Sequence, residues 1–121
     1  MSTPPPSAAI PLPRPATMAD LQRYVRALEA RMGWLDASCE RTCFLMGEEV
    51  GELFGAVRRM PARDTPGGPD PDLLSESSRE AVAEEIVDVL NYLLALANRL
   101  QIDVESAFQQ KNARNQRRSW S

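Results

Sequence analysis

The sequence predicts an all-α fold, a four-helix-bundle-like subunit, and two kinds of observation predict it. Apolar residues recur at steps of three and four through long stretches, as in Leu21, Tyr24, Val25, Leu28 and Met32, and again in Cys39, Cys43, Met46, Val50, Leu53, Val57 and Met60. Each stretch also begins near a residue able to cap a helix and ends near Gly or Pro. At 121 residues the chain is long enough for one domain. Residues 1–16, with Pro4, Pro5, Pro6, Pro11, Pro13 and Pro15, lack periodicity and read as an extended, disordered tail, leaving 17–121 as the helical domain.

Taken in order, Thr17 is positioned to cap the first helix, with Asp20 in its first turn and Gly33 ending it. Trp34 follows in the connection. A Trp there ordinarily packs as a plug, and beside a nucleotide it would stack on a base. Asp36 is the candidate cap of a second helix over about residues 37–60. Along it Gly47, Gly51 and Gly55 each weaken the helix by up to about 1 kcal/mol relative to Ala, which suggests close approach by another group. The stretch from Pro61 to Asp72 is a loop by its Pro and Gly content, and Ser77 with Glu80 forms a capping-box pattern for a third helix. Asp103 caps a fourth helix running to about Arg118.

The third helix raises the chemical question. From Ile86 to Leu100 almost every residue is apolar, yet Asp88 sits in that run with Glu85 one turn ahead on the same side. A buried, unpaired carboxylate costs several kcal/mol, so Asp88 must be protonated, paired with a base or bound to a cation. The nearest Arg along that helix, Arg99, is about three turns away. Glu49 and Glu52 repeat the three-residue spacing on the second helix and border its apolar seam, while Glu48 turns further outward. Four carboxylates on two helices suit a hard divalent cation, Mg²⁺ or Mn²⁺. On the last helix Lys111, the sole lysine, shares a face with Asn115 and Arg118. That face is either a solvated basic helix end or an anion contact.

Composition narrows the classes. A net charge of -3 argues against nucleic acid as a partner, although the basic end at Arg114, Arg117 and Arg118 could meet a triphosphate. The absence of His removes His-based catalysis and His-ligated zinc. Two cysteines, Cys39 and Cys43, read as buried thiols in a reducing compartment. Without an N-terminal leader pattern or an apolar run of membrane length, a cytoplasmic protein with no membrane partner is expected. Carboxylates facing a Lys, an Asn and an Arg suit a magnesium-bound polyphosphate, attacked at phosphorus by an activated water, with Glu48 as a candidate orienting base.

The ordered set goes further. ExxE in GEEVGELFGAVRR, ExxD and a following Tyr in EEIVDVLNYLLALANRLQIDVESAF, and KNARNQRRSW at the end together resemble the MazG-like all-α nucleotide pyrophosphohydrolases, over roughly residues 21–120. The resemblance implies Glu49, Glu52, Glu85 and Asp88 as magnesium ligands, Tyr92 at the nucleoside pocket, and Lys111, Asn115 and Arg118 as phosphate or nucleotide contacts. It also implies hydrolysis of (d)NTP to (d)NMP and pyrophosphate, and assembly as a dimer or dimer of dimers. Two departures stand out. The Pro/Gly-rich loop separates the two acidic motifs more widely than is usual in that family, and no His shapes a base pocket, so a cytosine preference is not implied. The alternative is a catalytically silent helical dimerisation module with a structural metal site. Either reading expects a homo-oligomer, because the third helix is apolar nearly all round; Leu94 is an example of a residue expected at the interface.

Overall fold

The computed structural model describes residues 8–118. They form four α-helices and no strand: α1 (Met18–Met32), α2 (Cys39–Arg58), α3 (Glu76–Arg99) and α4 (Val104–Gln116). The all-α expectation holds. The helices fall into two compact units, one made of the chain up to Ser38 together with the segment from Leu94 onward, the other of Cys39–Leu93. Residues 1–7 of the expected tail, and residues 119–121, lie outside the described residues.

In the first unit, Thr17 begins α1 as expected: its hydroxyl accepts from Asp20 N–H at 3.1 Å, and the Asp20 carboxylate accepts from Thr17 N–H at 2.9 Å. This reciprocal cap, with the Arg23 guanidinium beside it, holds the Asp20 carboxyl below the usual aspartate range, the backbone hydrogen bond at Thr17 being the largest cause. Gly33 ends the helix at φ 77°, a left-handed conformation that glycine adopts without a Cβ clash. Ile10, Pro11 and Pro13 line a cleft of about 400 Å³ together with Asp20, Arg23, Tyr24 and Ala27 of α1.

The same unit is tied by polar side chains. Gln22 donates to the Asn98 side chain at 3.1 Å and the Ile102 carbonyl at 2.8 Å, and its oxygen accepts from Val104 N–H at 3.1 Å. Asn98 returns a bond to the Gln22 carbonyl at 2.9 Å. Near the other end of α1, Arg99 grips both oxygens of Glu29 at 2.9 and 2.8 Å, with side chains only 11% and 12% exposed. Arg99 also donates to the carbonyls of Trp34 at 2.8 Å, Ala37 at 2.7 Å and Ala95 at 3.1 Å. Val25, Glu29, Leu94, Ala95 and Ala97 are the buried residues of this unit.

Several boundaries differ from the sequence reading, each for a local reason. Asp36 does not cap α2. The chain first makes a turn, with Ala37 N–H on the Trp34 carbonyl at 3.1 Å, and Arg99 takes the Ala37 carbonyl, so the helix starts at Cys39. Ser75, not Ser77, caps α3: its hydroxyl accepts from Ser78 N–H at 3.1 Å, which starts the helix at Glu76. The last helix stops at Gln116, short of Arg118, with Arg117 and Arg118 bonded back to Arg114 and Asn115 in a tightened turn.

The second unit is thinly cored. Its buried residues are Thr42 and Ala56, whereas Phe44 is 67% and Phe54 63% exposed. The seam beginning at Cys39 is mostly half-buried, and Cys43 is exposed, which corrects the reading of both cysteines as buried thiols. A methyl group placed on Gly47 or Gly51 would meet nothing within 4 Å, so among the described residues nothing makes the close approach these glycines suggest.

Removing one member of the Arg99–Glu29 pair leaves a desolvated charge. Glu29→Ala is therefore expected to lower unfolding stability by about 3 kcal/mol, and Thr17→Ala by about 1 kcal/mol, in denaturant titrations.

Candidate functional site

The acidic residues singled out by spacing all lie in the second unit, on α2 and on α3 before Leu94. Glu49, Glu85 and Asp88 each offer a carboxylate oxygen within 4.8 Å of the others. Glu49 and Glu85 are half-buried, whereas Asp88 is exposed, which corrects its reading as a buried acid. The cause is the register: Glu85 and Asp88 lie on one side of α3, and Glu49 projects from α2 toward them. Glu52 is exposed and stands outside that set, though its charge still acts on Glu49.

Electrostatics follow from this crowding. Burial pushes the Glu49 carboxyl above the usual glutamate range, reinforced by the Asp88 charge, by hydrogen bonding to Glu85, and by the charges of Glu85 and Glu52. Glu85 Oε2 is buried without a hydrogen-bond partner. A buried carboxylate oxygen left unsatisfied costs on the order of 1–3 kcal/mol, a cost a cation would remove. The donor set is oxygen only, which fits magnesium or manganese and not a thiophilic metal.

Tyr92 belongs to the same group. Burial raises its phenol above the ordinary tyrosine value, followed by the charges of Glu49, Asp88 and Glu48, with Arg41 acting in the opposite direction. The phenol thus stays protonated and able to donate a hydrogen bond. Glu48, exposed on α2, acts on Tyr92 through its charge. Arg41 was not singled out from the sequence. Its signal was available, since it lies seven residues before Glu48, close to two full helical turns.

The remaining expected residues lie in the first unit. Trp34 is 50% exposed in the connection after α1. Lys111 is exposed on α4, and Asn115 donates to Asn112 Oδ1 at 3.3 Å. Arg118 lies beyond the end of α4, so the three do not share one continuous helical face. A cleft of about 500 Å³ in the second unit is lined by Leu53, Phe54, Val57, Arg58, Arg63, Asp64, Val82 and Ile86, none of them an expected site residue.

The raised Glu49 carboxyl sets a pH dependence. Its folded-state value exceeds the ordinary 4.5, so the stability it contributes is present below that value and is lost as pH rises through the folded-state value. Metal-free protein should lose stability across that rise, and Glu49→Gln should flatten the profile in urea titrations at stepped pH. Saturating magnesium should raise the melting temperature of wild type at neutral pH and leave Glu49→Gln less affected.

Comparison with known proteins identifies the family. Residues 38–120 match the MazG nucleotide pyrophosphohydrolase domain, a span that contains all five acids and Tyr92. The chain is similar to dCTP pyrophosphatase 1 of Bos taurus, 33% identical over 103 residues, covering 84% of this chain and 59% of that protein. It is also similar to dCTP pyrophosphatase 1 of Homo sapiens, 36% identical over 103 residues, covering 84% of this chain and 58% of that protein. The chain therefore spans a little over half the length of these relatives. With a match over most of its length, the chain belongs to the MazG nucleotide pyrophosphohydrolase domain family.

Proposed function

We propose that this protein hydrolyses nucleoside triphosphates, ribo- or deoxyribo-, between the α and β phosphates, releasing a monophosphate and pyrophosphate in clearance of the nucleotide pool. The observation that carries the proposal is the convergence of Glu49, Glu85 and Asp88, together with the Glu85 carboxylate oxygen that is buried without a hydrogen-bond partner. Family membership and the name of its relatives, dCTP pyrophosphatase 1, support the reaction class.

Glu49, Glu85 and Asp88, with Glu52 beside them, would hold magnesium or manganese. The cation would supply charge neutralisation of the phosphates and acidify the attacking water. Glu48 would orient the attacking water as a general base, and the neutral Tyr92 phenol would donate to substrate. Lys111, Asn115 and Arg118 are assigned to phosphate binding, and Trp34 to the base. The protein acts in the cytoplasm, with neither nucleic acid nor membrane as a partner; no helix among the described residues is long and apolar enough to cross a membrane.

A homo-oligomer is part of the proposal. Phe44, Phe54, Ile86, Val87 and Leu93 are exposed in the second unit, and each large apolar side chain left in water forgoes about 1.5–3 kcal/mol of burial. Leu94, expected at the interface from sequence, is instead 2% exposed within its own chain, so the surface offered to a second copy includes Leu93 and excludes Leu94.

Asp88→Asn should preserve the fold and cut pyrophosphate release by on the order of a hundredfold or more, since the amide keeps the volume but loses the charge. Turnover in ¹⁸O-labelled water should place the label in the monophosphate; label confined to orthophosphate would refute cleavage at the α phosphorus. Leu93→Glu should shift sedimentation toward the monomer, and a wild-type chain that is monomeric and active at low micromolar concentration would rule out the oligomer.

A further inference from the structure

We infer that Arg99 is a positioning residue for the nucleobase contact, holding Trp34 on a rigid mount through its main chain. The inference rests on the proposed assignment of Trp34 to the base.

Trp34 lies one residue past the left-handed Gly33. Its N–H donates to the Glu29 carbonyl at 2.8 Å, and its carbonyl accepts from Arg99 Nη2 at 2.8 Å. Both main-chain groups are therefore committed. One is bonded to the backbone of Glu29, and the other to the guanidinium that the Glu29 carboxylate grips with both oxygens. The turn that follows closes on the same carbonyl through Ala37 N–H at 3.1 Å, and the Ala37 carbonyl accepts from Arg99 Nε at 2.7 Å. One side chain thus clamps the turn from Trp34 to Ala37 at both ends.

What the clamp presents is an aromatic ring half in solvent, between Met32 and Leu35, which are also exposed. A ring needed only to fill a core would be held by the core. An exposed ring on an immobilised backbone is suited to stacking, because little conformational freedom remains to be lost when a planar ligand arrives. Lysine cannot replace the clamp: a single ammonium lacks the planar fork that serves both carboxylate oxygens while its remaining N–H groups reach three carbonyls.

The test uses the full chain carrying Trp120→Phe, which leaves Trp34 as its one indole. Arg99→Lys is made in this background, and each canonical ribo- and deoxyribonucleoside triphosphate is assayed singly with magnesium. The expected result is a KM raised by about tenfold with kcat changed by less than about twofold, since misplacement of a binding group acts before chemistry. Time-resolved anisotropy of Trp34 should show new segmental motion in the variant. Unchanged anisotropy, or a loss confined to kcat, would overturn the inference. Should Arg99→Lys fail to fold, the anisotropy of Trp34 in the parent protein decides it: slow, whole-molecule tumbling supports the mount, and free local rotation refutes it. Trp34→Ala with Arg99 intact separates the two layers. An unchanged KM there removes the base contact while leaving the proposed hydrolysis standing, whereas a parent protein that turns over no triphosphate removes the proposed function itself.

Discussion

The first unit depends on one buried ion pair. All five N–H groups of Arg99 have acceptors: two oxygens of Glu29 and the carbonyls of Trp34, Ala37 and Ala95. Desolvating a guanidinium and a carboxylate costs several kcal/mol per ion, and only such complete matching offsets it. The pair joins the end of α1, the connection that follows and the last turn of α3, segments far apart in sequence. Its contribution is specificity of geometry: one guanidinium holds the carbonyls at both ends of the turn from Trp34 to Ala37. The Gln22–Asn98 exchange does the same at the junction leading into α4.

The acidic cluster in the second unit obeys the opposite logic. Glu49 and Glu85 are half-buried and Asp88 exposed, and among the described residues none of the three is in an ion pair of the kind Arg99 makes with Glu29. Burial and mutual repulsion raise Glu49, and a Glu85 oxygen stays without a partner. In a small domain whose whole stability is on the order of 5–15 kcal/mol, such crowding is a strain that the proposed cation would relieve. The same unit buries few side chains and leaves Phe44 and Phe54 in water, the apolar surface on which the proposed homo-oligomer rests.

Helix positions were legible in the sequence because caps and breakers act over three or four residues. Thr17, Gly33 and Asp103 were read correctly for that reason. Asp36 misled because the chain turns from Trp34 to Ala37, with the Ala37 carbonyl given to Arg99, and the helix starts only at Cys39. Ser77 misled because the Ser75 hydroxyl already accepts from Ser78 N–H and starts the helix earlier, at Glu76. The Gly47–Gly51 pattern pointed to close packing, but whether anything fills that space is a property of neighbours, not of spacing.

By itself the sequence determined the helical class, the two acidic motifs and the family, because period and residue type are local quantities. Tertiary structure decided which acids meet. Spacing put Glu49 and Glu52 on an equal footing, yet the relative rotation of α2 and α3 brings Glu49 to Glu85 and Asp88 and leaves Glu52 in solvent. It also decided that Leu94 is core and Leu93 surface, a difference of one residue and about 100° around a helix. The pairing of Arg99 with Glu29, 70 residues away, could not be read from the chain at all, since such a bond exists only once two helices have found their places.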